Sequence, residues 1–306
     1  MRKYIFIFGL FLAFGLKGFC QQDPQYSQYM FNGLLINPAY AGSRELVSMT
    51  LLDRIQWVGI QGAPKTATFS IHGPTKGEKN AFGASLYYDK LGITSQIAGH
   101  AVYAYRMQLG AATLSLGLQG GVMNHANRWS EAVTTDPDGG TPLQNQSAIL
   151  PLVGTGAYLY SHRFYAGLAV PNFIPNKYEN PNTVAGTVAA KQKVHVFATS
   201  GMVIPLGENV EFKPSYVLKY TENAPLELDL NVSFLMHKQL WIGASYRTKD
   251  AMVVILEYIF KNEFRIGYAF DYTLTKLGNY NSGSHEIMLG LDMGWDKSRI
   301  KTPRYF

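Results

Sequence analysis

Apolar and polar residues alternate with a period of two along most of the chain after Leu46, in segments of about ten residues. The clearest segment is 226–236, where Leu230 and Val232 fall on one face and Asn231 falls on the other. The same pattern is found in residues 113–123, 210–220, 264–272 and 285–295. Strict alternation of this kind predicts β-strands that have one apolar and one polar face.

About fourteen such segments can be counted, beginning near residues 46, 66, 80, 95, 111, 151, 164, 193, 210, 226, 239, 251, 264 and 285. Strands of a soluble sandwich average about five to six residues. Strands of about nine to eleven residues are those that cross a bilayer in a tilted barrel. The pattern therefore predicts an all-β fold, a transmembrane outer-membrane β-barrel of about 14 antiparallel strands over residues 46–306 with a short C-terminal tail.

The lengths of the connections support the barrel independently. We number the connections from the one after the first strand. The longest connections, near 56–65, 125–150, 173–192 and 273–284, are all odd-numbered, whereas the even-numbered connections are only short turns. Outer-membrane barrels have short periplasmic turns and longer external loops. The polar face must then point into the lumen, and the glycines that recur on that face indicate a crowded interior.

The N-terminus has the composition of a secretory signal peptide, residues 1–20. Arg2 and Lys3 precede an apolar stretch over 4–16, and cleavage is predicted near Cys20/Gln21. A lipoprotein acylated at Cys20 is the alternative, although the residues before this cysteine are bulky and charged. Removing residues 1–20 takes Lys+Arg from 27 to 24 against 21 acidic residues, so the net charge falls from +6 to +3. The mature chain also has no cysteine, which excludes disulfides and thiol chemistry.

Composition excludes two further classes of protein. Charged residues make up only 16% of the chain and hydrophobic residues 47%, against roughly 25% charged residues in soluble domains, so the chain is not disordered. After the signal peptide, no apolar run approaches the roughly 18–20 residues of a membrane-spanning helix. The modest charge of the mature chain argues against a nucleic-acid partner.

Catalytic and metal-binding patterns are not found in the sequence. The seven histidines lack metal-ligand spacing, and the glycines of 117–121 lie inside an alternating strand, not in a phosphate-binding turn. Residues 135–140 have the acidic composition of a calcium loop, but a turn-rich external loop is the simpler interpretation. Phospholipase and protease barrels exist, yet no Ser/His or Asp/His set stands out here. We therefore expect no enzyme activity, no cofactor and no metal.

The segment 21–45 is rich in aromatic and amide side chains and has almost no charge. We expect it to be a periplasmic N-terminal segment that packs against the barrel mouth or enters the lumen, held by turns at Asn37 and Pro38.

The first strand supplies further candidate residues. Arg54 and Gln56 face the lumen if Trp57 faces lipid in the interfacial aromatic belt. Arg54 then pairs with a lumen carboxylate such as Asp89 or Asp271, or it contacts a partner directly. In the long loops, Trp129, Phe173 and Tyr178 are apolar candidates for contact with an extracellular partner, although ordinary loop packing explains them equally well.

Several sequence blocks resemble a known family. They are Gln22–Asn32, Asn37–Gly42, Arg54–Gly59, Gly62–Thr66, His72–Pro74, Tyr88-Asp89, Tyr103–Arg106 and Pro303–Phe306. Their order and spacing are similar to those of the PorP/SprF family of Bacteroidetes outer-membrane proteins, and the resemblance covers essentially the whole mature chain.

The resemblance implies a role in the type IX secretion system and, in gliding species, in gliding motility and adhesin export. The implied partners are a secreted protein or large surface adhesin, bound through its C-terminal domain, or components of the apparatus that include periplasmic lipoproteins. Outer-membrane lipid surrounds the barrel. The alternative function is a diffusion channel of porin or fatty-acid-transporter type.

Overall fold

The structure is a computed structural model that describes residues 24–131, 145–179, 188–222 and 224–294, without the side chains of 177–191. The predicted signal peptide, its cleavage site and the C-terminal block 303–306 lie outside the described residues.

The described residues form a closed, antiparallel β-barrel with fourteen wall positions. Every strand of the wall pairs with its neighbours in sequence, and β1 pairs with β17 to close the sheet. Two consecutive strands, β10 and β11, both pair with β12 and together occupy one wall position, while β8 and β9 form a separate hairpin. The strands are β1 Val47–Ile55, β2 Lys65–Pro74, β3 Asn80–Leu91, β4 Thr94–Leu109, β5 Ala112–Asn127, β6 Gln146–Tyr160, β7 Phe164–Val170, β8 Lys177–Glu179, β9 Val188–Lys191, β10 His195–Met202, β11 Ile204–Pro205, β12 Val210–Thr221, β13 Glu227–Met236, β14 Leu240–Arg247, β15 Ala251–Phe260, β16 Phe264–Thr273 and β17 Ser284–Met293. The predicted fold class is thus confirmed.

The β5–β6 hairpin is longer than the sequence pattern predicts. Its ladder continues to the pair Asn127↔Gln146, so β6 begins before the predicted residue 151. The outermost rungs, Asn127↔Gln146, Ala126↔Ser147 and His125↔Ala148, hold polar and small side chains without an apolar face. Alternation cannot reveal strand residues where neither face is apolar.

The wall has an apolar outside and a mostly polar inside. On β15, Met252, Val254 and Leu256 are exposed, whereas Val253 and Glu257 are buried toward the lumen. Exposed aromatic side chains lie near both ends of the strands, as in the aromatic girdles of membrane barrels; they include Tyr220, Tyr246 and Tyr272 at one end and Phe234, Phe260 and Phe264 at the other.

The helical elements of the described residues are short 3₁₀ turns: Tyr29–Phe31, Gly33–Leu35, Pro38–Tyr40, Trp129–Glu131 and Lys276–Tyr280. No helix in the described part of the chain is long and apolar enough to cross a membrane.

Candidate functional site

Residues 24–46, here called the N-terminal segment, run through the lumen from one mouth to the other. At the end of the barrel that has the long loops, Gln25 Nε2 donates to Glu227 Oε1 at 2.8 Å. At the end that has the short turns, Arg44 Nη2 contacts Asp292 Oδ2 at 2.6 Å. The chain then turns back at Leu46 to begin β1. The lumen is therefore occupied along its length by the protein's own chain.

The upper half of the N-terminal segment packs on one side of the wall. Tyr29, Met30 and Phe31 are buried against inward-facing apolar residues of β12 to β17, and the Phe31 and Trp241 rings lie 6.0 Å apart. Asn32 Nδ2 donates to Ser70 Oγ of β2 at 2.9 Å. Apolar burial and a satisfied amide together fix this part of the segment in the lumen.

The lower half crosses to the opposite side of the wall. Asn37 accepts a hydrogen bond on Oδ1 from the Ala39 N–H at 2.9 Å, and its Nδ2 donates to the Ala157 carbonyl of β6 at 3.1 Å. Pro38 opens the following 3₁₀ turn, where its fixed φ is favourable. Tyr40 then makes edge contacts with the rings of His72 and Tyr158.

Inward-facing glycines provide the space for the segment. A Cβ on Gly117 would overlap the Ala39 backbone, and a Cβ on Gly156 would overlap the Asn37 side chain. On the other side of the lumen, a Cβ on Gly267 would overlap Gln28. At these three positions, the crowding that the sequence indicated is contact between the wall and the N-terminal segment.

A buried charge cluster holds the segment just below the long-loop mouth. Arg54 contacts Asp271 at 2.8 Å and Glu286 at 3.1 Å, and Arg247 contacts Asp271 at 3.1 Å. Ser27 Oγ donates to Asp271 at 2.8 Å, and the Ser27 and Gln28 N–H groups each donate to Glu286 at 2.8 Å. We call Ser27, Arg54, Arg247, Asp271 and Glu286 the upper cluster. Its charges are paired and hydrogen-bonded, which is what buried charges require.

A second cluster holds the other end of the segment. Asp292 accepts hydrogen bonds from Arg44 Nη2 and from Ser48 Oγ at 2.7 Å, and it forms an ion pair with Arg265, whose Nε lies 3.0 Å from Oδ2. Burial alone would lower the pKa of Arg44, but the Asp292 carboxylate raises it on balance above its ordinary value. The Arg106 guanidinium additionally donates to the Gly42 carbonyl. The segment is thus anchored by charge at both ends.

The long-loop mouth contains a cavity of about 490 Å³, here called the vestibule. It is lined by Pro24, Gln25, Gln56, Trp57, Pro64, Asp89, Leu91, Ala224–Glu227 and Thr248–Asp250. Three of the candidate residues from the sequence, Gln56, Trp57 and Asp89, therefore meet at one site.

Two details of this site differ from the expectation. Trp57 does not lie on the lipid face of β1, because β1 ends at Ile55 and Trp57 sits in the following turn with a φ of 47°. Its N–H donates to Ser284 Oγ at 3.1 Å. Asp89 accepts from Thr66 Oγ1 at 2.6 Å, so of the two carboxylates proposed for Arg54 it is Asp271 that makes the pair.

The three loop candidates are not among the described residues that line the vestibule. Trp129 lies in the 3₁₀ turn after β5, and Tyr178 lies in β8, where only its backbone is described. Phe173 is 45% exposed, and its N–H donates to the Val153 carbonyl at 2.9 Å.

Several important residues were not singled out from the sequence. Ser27, Arg247 and Glu286 complete the upper cluster, and Gln119 on β5 donates to the Pro171 carbonyl at 2.6 Å, which draws the loop after β7 against the inner wall. Period-two alternation places Arg247 and Glu286 on the lumen side. Their pairing depends on the register of distant strands, which alternation does not supply. Among the described residues, no group of three or more His, Cys, Asp or Glu is arranged to hold a metal ion.

A closed barrel with an apolar exterior, aromatic girdles and a polar, filled interior defines an outer-membrane β-barrel protein. Residues 18–291 match the family described as "Type IX secretion system membrane protein PorP/SprF". The chain belongs to this family, and the resemblance noted in the sequence is confirmed.

Comparison with solved structures finds other outer-membrane barrels. Omp33 of Acinetobacter baumannii shares 10% identity at a TM-score of 0.47, with 82% of this chain and 98% of that chain covered. A FadL homologue of Pseudomonas aeruginosa shares 11% identity at a TM-score of 0.45, with 88% and 94% covered. No curated protein matches the chain.

Proposed function

We propose that the protein is a non-enzymatic component of the type IX secretion system that acts by binding other proteins at its mouths. The partner is a secreted surface protein or adhesin, or a component of the secretion apparatus, and binding supports export or surface anchoring. In gliding species, the same role serves motility. The observation that carries this proposal is the lumen, which is filled by the N-terminal segment.

A filled lumen argues against the alternative of a diffusion channel. The N-terminal segment is buried from Ser27 to Asn32 and from Asn37 to Arg44. An ion pair anchors it at the short-turn end, and hydrogen bonds to buried carboxylates anchor it at the long-loop end. The loop after β7 also folds against the inner wall through Gln119. A solute would have to displace both, whereas a binding protein needs only accessible surface at the mouths.

The same packing supports a non-enzymatic role. Three of the lumen carboxylates, Asp271, Glu286 and Asp292, are engaged by arginines and by the N-terminal segment, so each of these three has a structural use. The accessible surface lies instead at the mouths. The vestibule, with Trp57 and Lys249 in its lining, is a concave surface at the long-loop end. Tryptophan side chains are enriched among the residues that contribute most to protein–protein binding.

The test is co-purification of the tagged protein from native outer membranes in mild detergent, with mass spectrometry of what accompanies it. We compare wild type with the double variant Trp57→Ala/Lys249→Glu at the vestibule. Lys76→Glu is the matched control, because Lys76 is also an exposed lysine but lies in the short turn between β2 and β3. A surface partner should be recovered about tenfold less with the vestibule variant, which corresponds to about 1.4 kcal/mol, and unchanged with the control.

The opposite pattern, loss with Lys76→Glu alone, would indicate a periplasmic partner from the apparatus. A barrel that purifies without any partner and conducts ions would contradict the proposal, whether the partner is a surface protein or a component of the apparatus.

A further inference from the structure

Two lysines lie side by side on the outer face of the wall, at its long-loop end. Lys65 is the first residue of β2, and it is directly paired with Lys90, the last residue but one of β3. Lys65 shares its face of β2 with the exposed Phe69, and Lys90 shares its face of β3 with the exposed Tyr88. Successive side chains of a strand alternate between its two faces, so both lysines project away from the lumen. The long-loop end of such a barrel faces the exterior.

The two lysines are a like-charge pair without a counter-ion among the described residues. Directly opposite residues of neighbouring strands have Cβ atoms about 4.5–5.5 Å apart, and like charges at this spacing are destabilising. Neither lysine forms an ion pair with a carboxylate in the part of the chain that the structure describes. Asp53, exposed on the same outer face of β1, lies one diagonal step from Lys65 across the ladder and makes no ion pair with it. Two lysines against this one aspartate leave a net positive charge.

The pair lines a cavity of about 520 Å³, here called the rim cavity, together with residues 55–63 and Gly92. The connection between β1 and β2 forms most of this lining and is held on two sides. The Val58 N–H donates to the Gly283 carbonyl at 2.9 Å, and the Gly92 N–H donates to the Gly62 carbonyl at 2.9 Å. The concave surface beside the lysines is therefore preformed, which lowers the ordering cost of binding a ligand.

Apolar side chains continue from the rim cavity along the lipid-facing wall. Ile55 lies opposite Lys65, and Tyr88 is paired with Ile97 one step below Lys90 on the outer face. These three side chains and Leu86 are exposed. Aromatic residues such as Tyr88 mark the level of the lipid headgroups. A ligand that fits this surface has an anionic group at the rim and apolar chains directed into the bilayer.

We propose that the rim cavity binds the phosphate group of an outer-leaflet lipid, whose acyl chains lie along the apolar surface below. A phosphate monoester carries about −1.5 to −2 charges at pH 7, which suits the two ammonium groups of Lys65 and Lys90. Lysine is a common phosphate ligand because its ammonium group acts as a compact point charge. The lipid phosphate then neutralises the like-charge pair that the barrel leaves uncompensated.

The rim cavity is adjacent to the vestibule, and Trp57 contributes to the lining of both. Lys65 and Lys90 nevertheless face away from the lumen, so lipid binding does not depend on the proposed secretion partner. A bound lipid would lie against the same connection that borders the vestibule, and would thus be part of the surface next to the partner site.

The test is binding of lipid A, a phosphorylated glycolipid, to the delipidated protein in mild detergent, measured by native mass spectrometry. The variant Lys65→Gln/Lys90→Gln removes both charges from the rim cavity. Lys76→Gln/Lys79→Gln is the matched control, because it removes two exposed lysines from the short-turn end of the same β2–β3 hairpin. We expect the affinity for lipid A to fall about tenfold for the rim variant, which corresponds to about 1.4 kcal/mol, and to stay unchanged for the control. Unchanged binding by the rim variant, or an equal loss for both variants, would overturn the proposal.

Three further measurements identify the ligand without relying on the rim variant. Lys65→Arg/Lys90→Arg keeps both charges and should keep the affinity for lipid A. Lipid A stripped of its phosphates should bind the wild-type protein about tenfold more weakly than intact lipid A. Inorganic phosphate in molar excess should displace no more lipid A than chloride does at the same ionic strength. Equal binding of the dephosphorylated lipid would overturn the role of the phosphate, and specific displacement by inorganic phosphate would overturn the assignment to a lipid.

Discussion

Arg54 is buried with both terminal nitrogens against carboxylates, Nη2 on Asp271 and Nη1 on Glu286. Nη1 also donates to Ser27 Oγ at 2.8 Å. The alternation of side chains along β1 is enough to place Arg54 in the lumen, and the sequence predicted Asp271 as one of two candidate partners. The contacts of Arg54 with Glu286 and Ser27 could not be predicted from the sequence, because they depend on the register of β1 with β17 and on the path of the N-terminal segment.

Replacing Arg54 by alanine should therefore be costly. The Arg54→Ala variant leaves Glu286 and part of the Asp271 charge unpaired in the lumen, and removing one partner of a buried pair typically costs about 3–5 kcal/mol. The measurement is the free energy of unfolding in urea, with the protein in lipid vesicles.

Arg128→Ala is the matched control, since Arg128 forms an exposed pair with Glu131 at 3.2 Å. An exposed pair contributes about 0–1 kcal/mol. Equal losses for the two variants would contradict the structural role assigned to Arg54.

The strands were predictable because a bilayer imposes both their length and their alternation. Their starts agree with the sequence to within a few residues, except in the β5–β6 hairpin, where Asn127 and Gln146 extend the ladder beyond the apolar belt. The N-terminal segment was not predictable in the same way. It has no period, and its 3₁₀ turns follow the shape of the lumen, so composition indicated contact with the barrel without showing the path.

Gly117 and Gly120 on β5 test whether the wall is fitted to this segment. A Cβ at Gly117 would overlap the Ala39 backbone, whereas a Cβ at Gly120 would have no atom within 4 Å. We expect Gly117→Ala to destabilise the barrel by about 1–3 kcal/mol, as overpacking does, and Gly120→Ala to have almost no effect. Urea unfolding in lipid vesicles compares the two directly. A loss shared equally by both would point to strand propensity instead of contact with the segment.

The molecule as a whole is asymmetric from end to end. Long loops and the vestibule lie at one mouth, short turns at the other, and the N-terminal segment connects the two through the lumen. The asymmetry of the loops was visible in the sequence as alternating connection lengths. The vestibule was not, because it arises where Trp57, Asp89 and Glu227, which are far apart in sequence, meet across the mouth.

The central claim is that this barrel works by binding and does not pass solutes, since its own chain fills the lumen. The most direct measurement is the conductance of the purified protein in planar bilayers, compared with a variant lacking residues 24–42 whose folding is checked by heat-modifiable gel mobility. We predict no steady conductance for the intact protein and open-channel currents for the deletion variant. A steady, ohmic conductance of the intact protein equal to that of the deletion variant would contradict the account.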